Sequence, residues 1–155
     1  MFDTFAKHWR RLAAVGAISE AEYRAGTLQQ FYRTVTEFEA PFADPTSPVR
    51  PAGLRLDHTA TWVTACPYAT AFRAHRDADQ FARAYIPTLR SWTESTFFSA
   101  LDPARSREER QGIIDDYYAA YQADVAAAPE SHGMDYVHCF SVMTKASSAA
   151  SLPAA

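Results

Sequence analysis

Cysteine is scarce in this chain: of 155 residues only Cys66 and Cys139 carry a thiol. Two isolated thiols supply neither a disulfide framework nor a structural zinc site, so reduced thiols and a cytoplasmic setting are expected. Long apolar runs are missing too. None approaches the roughly 18–20 residues needed to span a bilayer. The first thirteen residues are amphipathic rather than a charged stretch followed by an apolar one, which argues against a secretory leader. There is no block of Lys or Arg, and the formal net charge is −3, so neither nucleic acid nor an anionic membrane is recommended as partner. His8, His75 and His132 share no metal-ligand spacing with a carboxylate pair, and no metal is expected. Nucleophile chemistry of the Ser/His/Asp kind lacks its Gly-x-Ser-x-Gly turn.

Aromatic residues, by contrast, are abundant, at 14% of a composition that is 48% hydrophobic, and the length suits one domain with a core of its own. Phe2, Phe5, Trp9 and Leu12 recur at helical spacing, and Gly16 then closes a first helix near Val15. Ser19-x-x-Glu22 and Thr34-x-x-Glu37 are capping boxes that open a second and a third helix, the third ending near Pro41. Pro45, Pro48 and Pro51 make residues 44–53 a loop. From Leu54 to Val63 the residues alternate, with Leu54, Leu56, His58, Ala60 and Trp62 on one face, as in a half-exposed strand.

Asp77-x-x-Gln80 opens a long helix with Phe81, Tyr85, Leu89, Trp92 and Thr96 on one face and a kink expected before Pro87. Ser106-x-x-Glu109 opens another, striped by Ile113, Ile114, Tyr117, Tyr121 and Val125. Pro129 and Gly133 then break the chain before a strand from Met134 to Met143. That strand is rich in aromatic and β-branched residues on both faces and expects cover on both, as in the middle of a helix-flanked sheet. A two-stranded ribbon cannot supply it, so the chain reads as part of a larger sheet. From Ala146 onward an Ala/Ser/Pro tail, residues 146–155, is expected to be disordered.

Five segments in order carry a resemblance: Gly16-Ala-Ile-Ser-Glu20, Phe31-Tyr-Arg-Thr-Val-Thr-Glu-Phe38, Thr64-Ala-Cys-Pro-Tyr68, Arg90-Ser-Trp-Thr-Glu94 and Asp135-Tyr-Val-His-Cys-Phe-Ser-Val-Met-Thr-Lys145. Together they resemble the C-terminal half of the SABATH-type S-adenosylmethionine-dependent carboxyl methyltransferases, bacterial relatives included. The resemblance implies an α/β lineage, the C-terminal part of a Rossmann-like sheet, in which residues 54–63 form the sixth strand, 134–145 the last, and the helices of residues 77–101 a cap over the acceptor. As an isolated chain it would be α+β, mostly helical with a two-stranded antiparallel sheet. Residues 1–145 would be a partial methyltransferase domain without the cofactor-binding half, because none of the glycines at 16, 26, 53, 112 and 133 falls in a strand–loop–helix cradle.

The function implied is methyl transfer to a small carboxylic acid or similar acceptor, with the chain inactive alone. S-adenosylmethionine would bind only with the missing half or a Rossmann-half partner, and the exposed strand edge offers a homodimer contact. The resemblance assigns the acceptor pocket to Phe2, Tyr32, Leu89 and Trp92, with Tyr136 and Phe140 closing its far wall. Each is also an ordinary core residue by type. His58 and His138 read as core histidines, Cys139 as a small buried hydrophobe, and Asp115-Asp116 as a solvated face, since neighbours on a helix point about 100° apart. A competing reading is a non-enzymatic α+β module whose aromatic pocket holds an apolar ligand. A third is a regulatory pseudoenzyme that pairs with a full-length relative.

Overall fold

The computed structural model describes residues 1–146. Their elements are α1 (Phe2–Ala14), α2 (Glu20–Ala25), α3 (Val35–Ala43), β1 (Leu54–Thr64), α4 (Pro67–His75), α5 (Ala78–Ala100), α6 (Arg107–Ala127), a 3-10 turn (Pro129–Ser131) and β2 (Tyr136–Lys145). The fold is α+β, mostly helical, with one two-stranded antiparallel sheet. The tail expected to be disordered lies, from Ser147 on, outside the described residues.

Residues divide into two compact units. The first comprises Met1–Gln29 and Ala65–Asp135, and the second Gln30–Thr64 and the segment from Tyr136. Every buried apolar side chain among the described residues belongs to the first. There the stripe of α1 packs on α5 and α6: Phe5 meets Tyr121 edge-on at 5.0 Å, and Trp9 and Tyr117 both contact Phe97, at 4.8 and 4.7 Å. Such aromatic pairs add stability beyond the area they bury. Two of the buried tyrosine hydroxyls find backbone partners: Tyr117 donates to the Phe5 carbonyl and Tyr121 to that of Met1. Burial pushes both phenols well above their ordinary pKa and Tyr118 up to about 12, so all three stay protonated.

The capping boxes form as read, at Ser19/Glu22, Thr34/Glu37 and Ser106/Glu109, and the Asp77 side chain accepts from the Gln80 N–H. One of them does more than cap. Glu22 is buried, and its carboxylate accepts from the N–H of Ser19 at 2.7 Å, the N–H of Asp102 at 2.8 Å and the Arg105 guanidinium at 2.7 and 3.0 Å. α2 is thereby tied to the α5–α6 loop. Two helices contain a proline: α5 continues through Pro87 to Ala100, and α3 ends at Ala43, two residues past Pro41 and close to the expected end. A proline removes one hydrogen bond from the ladder, and in α5 the buried faces on both sides of it hold the helix together.

In the second unit α3 lies against β1, and β1 pairs with β2. The alternation expected for β1 does not survive. A bulge between Leu56 and His58 shifts the register, so that Leu56 pairs with Met143 but His58 with Val142. A one-residue slip moves every later side chain to the opposite face. One face therefore carries Leu54, Leu56, Thr59, Thr61 and Val63 with Val137, Cys139, Ser141 and Met143. The other carries His58, Ala60 and Trp62 with Tyr136, His138, Phe140 and Val142. Among the described residues no apolar side chain of this unit is buried: Trp62 is 67%, Val137 72% and Phe140 56% exposed.

Burial opposes ionisation of Glu22, but the hydrogen bonds from Arg105 and the backbone of Asp102 and Ser19 prevail and hold its pKa at about 2, against an ordinary 4.5. Because the folded value is the lower one, this stabilisation is complete above about pH 4.5 and is lost as pH falls toward 2. Glu22→Gln is expected to destabilise the chain by about 2–4 kcal/mol at pH 7 and to flatten that acid limb, in urea titrations at several pH values. An unchanged acid limb would contradict the assignment.

Candidate functional site

The first unit contains a half-open cleft of about 490 Å³, lined by α1, the end of α2 and the segment after it, and α5. Its volume is within the range of small-ligand sites. Phe2, Phe5 and Trp9 come from α1 at helical spacing, Tyr23 and Leu28 from the α2 side, and Phe97 from α5. The indole of Trp9 is fixed twice. Its Nε1–H donates to the Tyr23 carbonyl at 3.1 Å, and Gly26 lies so close that a Cβ there would come within 2.3 Å of Nε1. Polar groups are few: Asp3, Thr27, and Arg24, whose Nε donates to Glu20 at 2.8 Å. The cleft suits a flat apolar body with a polar end toward the rim. Among the described residues its lining holds no cysteine, serine or histidine.

Of the residues singled out from the sequence, Phe2 lines this cleft. Trp92 sits beside its floor, 5.9 Å from Phe5 and edge-on, but is not part of the lining. Among the described residues its buried Nε1 has no hydrogen-bond partner. Leu89 is fully enclosed in the helical core. Tyr32, Tyr136 and Phe140 belong to the second unit and are separated even there. Tyr32 borders a groove of about 730 Å³ with Phe31, Val35, Phe38, Thr61, Val137 and Cys139, whereas Tyr136 and Phe140 stand on the opposite face of the sheet. On that face Tyr136 stacks on His138 at 6.1 Å and Phe140 is tilted against it at 5.9 Å. The six residues thus form no common lining within either unit.

The core-histidine reading fails for His58 and His138, which are exposed. The bulge and the uncovered face account for both. Cys139 is half-buried rather than buried. The core histidine is His8 instead: its Nε2 lies 3.0 Å from Asp124, and burial lowers its pKa despite that carboxylate. Asp115 is held by Arg90 at 2.6 Å while Asp116 faces solvent, so the pair does not converge. Sequence reasoning assigned Phe5 and Trp9 to the core stripe and missed Gly26 and Phe97. The one available signal was a glycine directly after a six-residue helix.

The residues present do not fit S-adenosylmethionine. The chain passes from β1 to α4 through Ala65 and Cys66, with Pro67 opening the helix and no glycine between. Gly133 is packed against Ala69, with 3.1 Å left for a Cβ. Among the described residues no group of three His, Cys, Asp or Glu side chains is placed to hold a metal ion, and no helix is long and apolar enough to cross a membrane. No protein-family model and no curated protein matches the chain.

Gly26→Ala is expected to displace the Trp9 ring and break its bond to Tyr23, at a cost of about 1–3 kcal/mol. The intrinsic tryptophan emission should shift to the red. Wild-type stability with an unshifted spectrum would show that the ring is not held as described.

Proposed function

We propose that this chain is the cap and C-terminal strand portion of an S-adenosylmethionine-dependent methyltransferase of the carboxyl-methylating kind. In this reading it supplies the acceptor side of the reaction, in the cytoplasm, and is inactive alone. The observation that carries the reading is the sheet. β1 and β2 enclose three helices in the sequence and pair antiparallel, yet both leave large apolar side chains in water. Strands of this composition belong inside a covered sheet, and the missing strands and their helices would come from polypeptide outside these 155 residues.

The cleft beneath Phe2 is then the acceptor site. Transfer of a methyl group to a carboxylate needs no strong base, since the acceptor is already ionised near neutral pH. It needs the oxygen held in line in a water-poor pocket. Aromatic walls without a nucleophile suit that demand, and Arg24 at the rim offers a cation to the ionised end. A non-enzymatic carrier of apolar ligands is the second reading, favoured by the same scarcity of reactive groups.

Isothermal titration of the chain with S-adenosylhomocysteine is expected to give no heat of binding, and benzoate is expected to quench the Trp9 emission. Phe2→Ala should weaken benzoate about fivefold, the value of one aromatic contact. Tight adenosylhomocysteine binding by the chain alone would overturn the division of labour. An apolar probe such as naphthalene binding while benzoate does not would favour the carrier.

A further inference from the structure

We infer that the free edge of β2 is a docking strand for a second copy of this chain, paired antiparallel about a two-fold axis at Phe140. The inference concerns the 155-residue chain itself and does not rest on the methyltransferase reading. Among the described residues β2 has β1 as a neighbour on one side and none on the other. Over its ten residues it has no proline, no glycine and no bulge, and it carries no charge until Lys145. These are the devices that ordinarily blunt an open edge. β1 has two of them, a bulge and charge: the bulge lies on it, next to Arg55 and Asp57, which pair at 2.8 Å.

Charge fixes the partner and the register. The uncharged strand is bracketed by Asp135 at its start and Lys145 at its end, both exposed. A two-fold at Phe140 sets Asp135 opposite Lys145 of the second copy and Lys145 opposite its Asp135. No other antiparallel register of β2 on itself closes both pairs. Between them Tyr136 meets Thr144, Val137 meets Met143, His138 meets Val142, Cys139 meets Ser141, and Phe140 meets its own copy. Directly opposed side chains of this kind attract, and no like charges are opposed. Asp135 also accepts the Cys66 N–H through Oδ1 at 2.8 Å. The product is a four-stranded sheet, which meets the minimum for independent stability that a lone ribbon misses.

Sedimentation equilibrium of the full chain at micromolar concentration is expected to show a dimer. Lys145→Glu, which opposes two pairs of carboxylates, should raise its dissociation constant about tenfold. Ser141→Cys places a thiol opposite Cys139 of the second copy at a separation a disulfide can bridge. Mild oxidation should then give a covalent dimer that the native chain does not form. A monomer at every concentration overturns the inference, and so does a native Cys139–Cys139 cross-link that forms as readily as the variant's. Both substitutions lie on exposed or half-exposed strand positions, and far-UV circular dichroism confirms that each variant is folded. Neither outcome bears on the adenosylhomocysteine titration, so the two readings fail separately.

Discussion

A β-strand must find hydrogen-bond partners along both edges and, when its side chains are apolar, cover over both faces. β2 meets that requirement on one edge alone, through β1. Backbone groups left without protein partners turn to water, and a face bearing Trp62, Tyr136, Phe140 and Val142 keeps in water what a folded chain ordinarily buries. Everything functional proposed for this protein follows from how that deficit is made good, whether by further strands of a larger sheet or by another copy.

The helical unit has the opposite character. Its aromatic residues close on one another, the buried hydroxyls of Tyr117 and Tyr121 have carbonyl partners, and its one buried carboxylate receives four hydrogen bonds. Glu22 shows why a buried charge is tolerable there. Desolvation penalises it, yet two backbone amides and a forked guanidinium replace the lost water. Stability therefore resides in the helices, and the strands, which bury nothing apolar, belong to the low-stability end of the structure.

The same contrast explains what was legible in the sequence. Helix starts could be read because a capping box is local, and all three boxes form where Ser19, Thr34 and Ser106 placed them. The stripes of α1, α5 and α6 gave the core, since Phe5, Trp9, Tyr85, Tyr117 and Tyr121 are all enclosed. The bulge at Asp57 could not be read. It is accompanied by a side-chain bond from Thr144 to Asp57, two residues 87 positions apart, and it defeated the assignment of His58. The cleft was half legible. Phe2 lies on it by helical spacing, but Gly26 and Phe97 join it through tertiary contact.

The two edges of the sheet differ in a way that chance composition does not require. β1 combines a bulge, an Arg–Asp pair and a bond from Thr144, all concentrated near Asp57. Such features twist and charge an edge, and so make it unattractive to an incoming strand. β2, on the same sheet and of nearly the same length, has none, and its two flanking charges are of opposite sign. A strand meant to face water would carry the defences of β1. One meant to be paired does without them, and the opposite charges at its ends then act as register marks rather than as deterrents. The asymmetry leaves the sheet open on the side of β2, the side on which a second copy is proposed to pair.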